Sequence, residues 1–373
     1  MPIGMGALAI FLLVRGGGGS YSTAGLAVGA STVAGCIGAP LWGRLVDRLG
    51  QTRVLVPVAS TQVVMLVLLA SVAPSGGSLL FLLCGLYGFA APPIAASMRA
   101  TWATLLPERG LLVRAFSLDS TAQEVIWIFG PVLSAGLAGA FGPRIAIYAM
   151  ALFSAIGVAW FASTTVSRTW RSEHPGDRHL LGPLRAGPVR RVLLATLGLA
   201  FAWGSLELTI AAFADKHGDS AGPLLAIWAI GSVIGGLGFA ARPSNRSPQQ
   251  LLAILLTLNT LGFIVLMAAD RPLTLGILLL VTGIVNAPVI ATLYVLIESL
   301  APAGTVTEAF TWVSTTFLVG ISGGVALAGV VADAFGPQSG FMLALIGGSV
   351  AVTSVVVRRS GLYPAGDLSS TAS

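Results

Sequence analysis

Four ionisable residues of this sequence lie inside long apolar stretches, where a charged side chain is costly. They are Arg99, Glu124, Glu207 and Glu298. A charge within a bilayer is retained where it is paired, hydrated or used, so residues of this kind commonly bind ions, move protons or operate gates. We therefore take these four as the candidates for recognition and coupling.

Arg99 and Glu124 are expected to lie at similar depth. Arg99 is about seven residues from the inner end of the fourth apolar stretch, and Glu124 about nine from the inner start of the fifth, at about 1.5 Å of rise per residue. We predict that they form an ion pair, because pairing offsets the cost of burial. The pair is either static or part of a gate or proton relay. Asp119 is expected to cap a helix or to pair with Arg114.

The other two acids each have two explanations. Glu207 is the candidate for cation recognition or proton coupling, and its alternative is an acid that faces water at the outer side. Glu298 and Glu308 flank an inner loop without basic residues, and we expect them to bind neighbouring arginine loops. Four tryptophans within spans are expected to pack between helices, with contact to an aromatic substrate as the alternative: Trp127, Trp203, Trp228 and Trp312.

Composition predicts the elements that carry these residues. Of the 373 residues, 55% are hydrophobic and only 9% are charged, against roughly a quarter charged in soluble proteins. A helix of roughly 20 apolar residues crosses a bilayer, and about twelve such stretches account for nearly all of the chain. We predict an all-α integral membrane protein of twelve transmembrane helices in contact with the lipid bilayer. The first stretch, 2–15, is short, which suggests a truncated helix or a true start upstream of Met1.

The basic residues predict the orientation of the spans. Fifteen of the 20 lie in alternate loops and the C-terminal tail, four lie in the opposite loops, and Arg99 lies within a span. Loops rich in arginine and lysine stay in the cytoplasm, so both termini are expected there. The same distribution explains the net charge of +6 without nucleic-acid binding. A composition rich in Ala, Gly, Arg and Val resembles that of a high-GC bacterium, consistent with an inner-membrane location.

The chain is predicted to consist of two six-helix halves. They are 1–164 and 190–357, joined by a flexible cytoplasmic linker at 165–189 and followed by a disordered cytoplasmic tail at 358–373. An internal repeat supports this division, because related halves produce matches at one fixed offset. The sequence Ala140-Phe141-Gly142-Pro143 recurs 194 residues later as Ala334-Phe335-Gly336-Pro337.

Prolines interrupt corresponding helices of the two halves. Pro92 and Pro93 fall within the fourth span, and Pro288 falls within the tenth. A proline frees a backbone carbonyl that another group must satisfy, and paired breaks of this kind suggest a binding site at the interface between the halves. An ordinary kink is the alternative.

One inner loop carries a recognisable motif. It reads Gly43-Arg44-Leu45-Val46-Asp47-Arg48-Leu49-Gly50-Gln51-Thr52-Arg53. Gly43 allows close helix approach, and Asp47 can accept hydrogen bonds from a helix N-terminus or an arginine. The loop resembles the cytoplasmic signature of the major facilitator superfamily, matched at Gly43, Asp47, Arg48, Gly50 and Arg53. The resemblance implies the major facilitator fold and a latch for the outward-open state, whereas 238–246 keeps the basic residues but lacks the acid.

Further positions resemble the same family. Gly130-Pro131 is similar to its exporter motif, although Ser134-Ala135 replace the paired glycines. Gly320 and Gly324 form a small-residue face in the eleventh span, and we expect packing and hinge roles for all of these. The resemblance also implies that spans one, four, seven and ten line a central cavity, which Arg99, Glu207 and Glu298 could face.

These features favour a secondary active transporter of a small molecule that works by alternating access, with proton-coupled efflux as an antiporter. The alternative is a membrane sensor or assembly factor that keeps the fold without transporting. No nucleophile–base pair, metal cluster, cofactor motif or phosphate-binding loop is present in the sequence, so we expect neither an enzyme nor a cofactor. The protein is expected to be a monomer in the cell membrane.

Overall fold

The computed structural model describes residues 1–72, 77–106, 108–171, 181–242, 244, 246–336 and 338–356. In this part of the chain all regular elements are helical, which confirms the predicted all-α class. Up to the 3₁₀ helix Gly182–Arg185 they are α1 (Pro2–Gly16), α2 (Tyr21–Leu49), α3 (Gln51–Val72), α4 (Ser78–Phe89), α5 (Ile94–Leu105), α6 (Arg109–Phe141), α7 (Pro143–Ser163) and α8 (Thr165–Thr169). They continue with α9 (Gly187–Lys216), α10 (Ala221–Ala241), α11 (Pro248–Leu266), α12 (Pro272–Gly283), α13 (Asn286–Leu300), α14 (Val306–Phe335) and α15 (Ser339–Val356).

Eleven of the described helical segments are long and apolar enough to cross a bilayer. Two of them are broken helices, because α4 with α5 forms Ser78–Leu105 and α12 with α13 forms Pro272–Leu300. The remaining apolar helix, α1, has 15 residues and is shorter than a usual span of about 17 or more. The predicted twelve hydrophobic helices are therefore close to the observed number.

The chain divides into two compact units. The first comprises Met1–Gly182 with Pro302–Thr315, and the second comprises Pro183–Ala301 with Thr316–Ser373. The residues of α14 are thus divided between the units, a feature that the sequence repeat did not predict. Of the predicted linker 165–189, the described part is largely helical rather than irregular, whereas 172–180 and the predicted tail 358–373 lie outside the described residues.

In the first unit, α1 packs against α2, α6 and α7. Met5, Ile10 and Leu13 are almost fully buried there, so this short helix is an integral part of the core. A Cβ at Gly130 would come within 2.7 Å of the Cα of Gly4. Because lipid tails supply no hydrophobic driving force between helices, membrane helices pack through small residues of this kind.

In the second unit, α9 packs mainly against α15, and α15 also packs against α11. Gly198 of α9 and Gly347 of α15 lie backbone to backbone, and a Cβ on Gly198 would clash with the carbonyl oxygen of Gly347 at 2.6 Å. Small residues therefore also allow helices of the second unit to approach closely.

The internal repeat has a structural counterpart in the turns that follow α6 and α14. Gly142 has a φ of 91° and Gly336 a φ of 87°, in the left-handed region that favours glycine. The Ala-Phe-Gly match at an offset of 194 residues thus encodes the same helix ending twice.

Candidate functional site

Asp47 caps the first turn of α14. Its side chain is 4% exposed. Its Oδ1 accepts a hydrogen bond from the Thr307 N–H at 3.1 Å, and its Oδ2 accepts one from the Glu308 N–H at 2.9 Å. The first N–H groups of a helix have no partner within the helix and carry the positive end of its dipole. Of the two kinds of partner expected for Asp47, the structure shows the helix N-terminus.

Arg44 and Glu308 form a bidentate ion pair. The Nη2 of Arg44 donates to Oε1 of Glu308 at 2.6 Å, and its Nε donates to Oε2 at 3.0 Å. The Glu308 side chain is 3% exposed and that of Arg44 is 24% exposed. Glu308 thus binds an arginine as expected. Arg44 was missed as a site residue, although it lies three positions before Asp47 and so on the same helix face.

The other residues of the motif have different positions. A Cβ on Gly43 would lie 2.7 Å from Thr311 Oγ1, so glycine lets α2 approach α14 closely. Gly50 ends α2 with a φ of 90°. Arg48 and Arg53 have exposed side chains. The contact with α14 therefore depends on Gly43 and Asp47 among the matched residues.

Arg99 is buried and binds Asp119. Arg99 is 1% exposed, and its Nε donates to Asp119 Oδ2 at 2.7 Å. The same oxygen accepts a hydrogen bond from Gln123 Nε2 at 3.2 Å. Asp119 therefore binds Arg99 and not Arg114, which corrects the expected partner. Glu124 is half-buried and has an interaction of its own, and its pairing with Arg99 stays a prediction.

Gln51 connects the motif to the helix of Arg99. Gln51 is fully buried at the start of α3. Its Nε2 donates to the Ser97 carbonyl at 3.0 Å and to Thr101 Oγ1 at 2.8 Å. This contact was missed, because a glutamine in a loop-like motif gives no signal of its burial.

Trp42 donates a hydrogen bond to the carbonyl group that is left free at the break between α4 and α5. Pro93 has no N–H, so the carbonyl of Phe89, four residues earlier, loses its helical donor. The indole Nε1 of Trp42 donates to that carbonyl at 2.6 Å, and the two rings pack edge to face at 5.3 Å. The expected need for a donor to the freed carbonyl is therefore met from α2, one residue before Gly43.

We expect Trp42→Phe to lower the free energy of unfolding by about 1–3 kcal/mol, because the Phe89 carbonyl loses its indole donor while the ring remains. The measurement is thermal and urea unfolding of the purified protein in detergent. Trp160→Phe is the matched control, since Trp160 is 76% exposed and should tolerate the change. Equal stability of the two variants would show that the indole bond contributes nothing.

The break between α12 and α13 lies at residues 284–285, one turn before Pro288. The displacement follows from proline chemistry, since Pro288 removes the hydrogen bond to the Ile284 carbonyl four residues earlier. A Cβ on Gly235 of α10 would overlap that carbonyl oxygen, so only glycine fits beside it. Gly38 of α2 has the same relation to the Phe89 carbonyl. In each broken helix, a glycine of a neighbouring helix thus packs against the carbonyl group freed at the break.

Among the described residues, the structure shows no ion pair for Glu207 or Glu298. Glu207 on α9 has an exposed side chain, and Glu298 on α13 is half-buried. Neither has a basic partner in the part of the chain that the structure describes. The arginine partner expected for Glu298 is therefore not found within the described ranges, in contrast to that of Glu308.

The expected packing positions contact neighbouring helices. Pro131 lies within α6, one residue after Gly130, which packs on α1. A Cβ on Gly320 would lie 2.7 Å from Ala200 Cβ, and one on Gly324 would overlap the Phe201 carbonyl. Both glycines therefore bring α14 against α9.

We expect Gly324→Ala to destabilise the protein by about 1–3 kcal/mol, because the added methyl group meets backbone that cannot move aside. Gly323→Ala is the control, since its nearest neighbour would be a ring carbon of Phe201 at 3.8 Å, an ordinary contact. Melting temperature and the monodisperse fraction in size-exclusion chromatography measure the difference. Similar losses in both variants would argue against a close contact at Gly324.

Residues 3–304 match the family model described as the Major Facilitator Superfamily, which covers well over half of the chain. The chain belongs to the Major Facilitator Superfamily. This facilitator is therefore a multi-pass membrane transporter and not an enzyme, as the sequence motif had predicted. A search of curated protein sequences finds no match.

Solved structures share the fold of this facilitator. The human organic anion transporter MFSD10 is 18% identical with a TM-score of 0.74, covering 89% of this chain and 83% of its own. The E. coli fucose:proton symporter FucP is 15% identical with a TM-score of 0.72, covering 94% and 95%. A bacterial homologue of the iron transporter ferroportin, in an outward-facing state, is 15% identical with a TM-score of 0.65, covering 95% and 98%.

Proposed function

We propose that this facilitator exports a small molecule across the bacterial inner membrane by alternating access, in exchange for protons. The observation that carries the proposal is the contact of Asp47 and Arg44 with the first turn of α14. Residues 302–315 group with the first unit and the rest of α14 with the second. A change in the orientation of the units would act on α14 beyond Thr315, so the cap can be made in one state and broken in another.

Glu207 and Glu298 are the proposed proton carriers. Both carboxyl groups lie in apolar helices, and the structure shows no ion pair for either within the described residues. Such a group can gain and lose a proton without breaking a salt bridge, whereas Glu308 and Asp119 would each release an arginine. Efflux is supported by Gly130-Pro131 in α6, which is similar to the exporter motif.

Proteoliposomes that contain a pH-sensitive dye test the proposal. A panel of small molecules is added with and without an imposed pH gradient, and proton movement and cargo uptake are recorded together. We expect at least one cargo to drive proton flux in the wild type, with a loss of at least tenfold in Glu207→Gln. Asp270→Asn is the matched control, because the Asp270 side chain is 71% exposed.

Each outcome bears on one part of the proposal. Cargo uptake without proton movement would remove the coupling and keep the transport. Transport only away from the side of the arginine-rich loops supports export. Transport only towards that side would overturn it. No flux for any cargo would favour a sensor or assembly factor. Reporter fusions at both ends test the proposed cytoplasmic termini, and light scattering in detergent tests the proposed monomer.

A further inference from the structure

A chain of buried hydrogen bonds leads to the break in the tenth span. The indole Nε1 of Trp203 donates to Asn259 Oδ1 at 3.3 Å, and Asn259 Nδ2 donates to Asn286 Oδ1 at 3.0 Å. The exposed fraction is 7% for Trp203 and 3% for each asparagine. Asn286 is the first residue of α13, immediately after the break. All three residues belong to the second unit.

Trp203, the first residue of this series, sets the direction of the hydrogen bonds. An indole N–H can only donate, so Asn259 must turn its oxygen towards Trp203 and its nitrogen towards Asn286. Asn286 therefore accepts with its oxygen, and its Nδ2 carries two N–H groups that have no acceptor among the described residues. That nitrogen is not fully enclosed by the protein, so an acceptor from outside can reach it. Native cores seldom leave a buried amide donor unpaired, so an acceptor from outside the chain is expected.

Aromatic rings pack against Trp203, the first residue of this hydrogen-bonded series. Trp203 packs edge to face with Trp228 at 5.9 Å and with Phe317 at 5.7 Å. Trp228 and Phe317 are both partly exposed. A Cβ on Gly283, three residues before Asn286, would lie 3.2 Å from Trp228 Cδ1. The Trp228 ring is therefore beside the break, close in the chain to the open amide.

The surroundings favour a neutral acceptor over an anion. We call Trp203, Trp228, Asn259, Asn286 and Phe317 the amide–aromatic cluster, and it contains no charged residue. Glu207 lies four positions after Trp203, one turn along the same face of α9. A carboxylate would meet no cation in the cluster and one acid nearby, whereas a carbonyl oxygen can accept from an amide without a counter-charge.

We propose that the amide–aromatic cluster is a cargo-binding subsite for a molecule with an aromatic ring and an attached neutral carbonyl. The carbonyl oxygen accepts hydrogen bonds from Asn286 Nδ2, and the ring packs against Trp228 and Phe317. This inference rests on the proposed transport function, of which it names the cargo class. A water molecule is the competing acceptor for Asn286.

The test measures equilibrium binding without any gradient. 4-Bromobenzamide is titrated into the full-length protein in detergent, and its bromine quenches nearby tryptophan fluorescence. We expect saturable quenching, an affinity at least tenfold lower in Asn286→Ala, and weak quenching by 4-bromobenzoate, which has the same ring and a carboxylate. Trp160→Phe is the control, because Trp160 is exposed on the first unit.

Non-saturable quenching, equal affinity for benzamide and benzoate, or unchanged affinity in Asn286→Ala would each overturn the subsite and favour water. If Asn286→Ala does not fold, Phe317→Leu replaces it, with an expected loss of at least threefold. Flux of another cargo without benzamide binding would reject the subsite and leave the transport function intact. Saturable binding without flux of any cargo would support the subsite as a ligand site and reject transport.

Discussion

Asp47→Ala is expected to speed hydrogen exchange at Thr307 and Glu308 at least tenfold and to reduce transport by a similar factor. The carboxylate accepts both of these N–H groups in a buried position. Each buried N–H that loses its acceptor costs about 1–3 kcal/mol, and about 1.4 kcal/mol corresponds to a tenfold change in an equilibrium. Exchange measured by mass spectrometry in detergent gives the first effect without requiring a known cargo, and flux in proteoliposomes gives the second.

Neighbouring residues provide the controls for Asp47. Arg48→Ala alters the adjacent side chain, which is exposed, and should leave both measurements close to those of the wild type. Asp47→Asn keeps one acceptor oxygen and the size of the side chain, so an intermediate effect is expected. If Asp47→Ala and Arg48→Ala behave alike, the cap on α14 does not control the transport cycle.

Asp119→Ala should be the most destabilising of the proposed substitutions. Arg99 is 1% exposed, and Asp119 is the carboxylate that the structure shows on its guanidinium at 2.7 Å. Removing one partner of a buried ion pair costs about 3–5 kcal/mol, whereas replacing both by apolar residues is often close to neutral. We therefore expect Asp119→Ala to lose most of its folded yield and the double variant Arg99→Met, Asp119→Leu to recover much of it. Chemical unfolding of the purified variants provides the measurement.

Two further variants separate the carboxylates near Arg99. Arg114→Ala should leave stability unchanged, because Asp119 binds Arg99 instead. A double-mutant cycle of Arg99→Ala with Glu124→Ala tests the predicted second pair, and a coupling energy near zero would exclude it. Should Asp119→Ala be as stable as Arg114→Ala, the buried pair is not a stabilising element.

Arg99 binds Asp119 at 2.7 Å, so depth in the membrane is not enough to decide which carboxylate pairs with it. The rise per residue placed Arg99 and Glu124 at one level, but it says nothing about the direction in which each side chain leaves its helix. Five residues at about 100° each place Glu124 about 140° around the axis from Asp119. Which of the two faces α5 depends on the rotation of α6, and that rotation is set by packing against α1 and α7.

The contact at α14 has a similar origin. The spacing of Gly43 and Asp47 on one helix face was visible in the sequence, and so was the preference of a carboxylate for a helix N-terminus. Glu308 lies 264 residues after Arg44, and no local pattern connects positions so far apart. Only the folded chain shows that Asp47 and Arg44 both contact the first turn of α14, where Arg44 binds Glu308.

The sequence by itself determined the class of the protein, its apolar helices, the two proline-broken spans and the family, because each depends on local composition, length or spacing. In a bilayer every backbone polar group must be satisfied by the protein, and a single apolar stretch of about 20 residues does this within itself as a helix, so hydropathy predicts most of these helices. The tertiary structure decided the partners: Asp119 for Arg99, Trp42 for the Phe89 carbonyl, and Asn259 for Asn286. These depend on which faces of separate helices meet, and close packing of small residues across the whole unit sets that geometry.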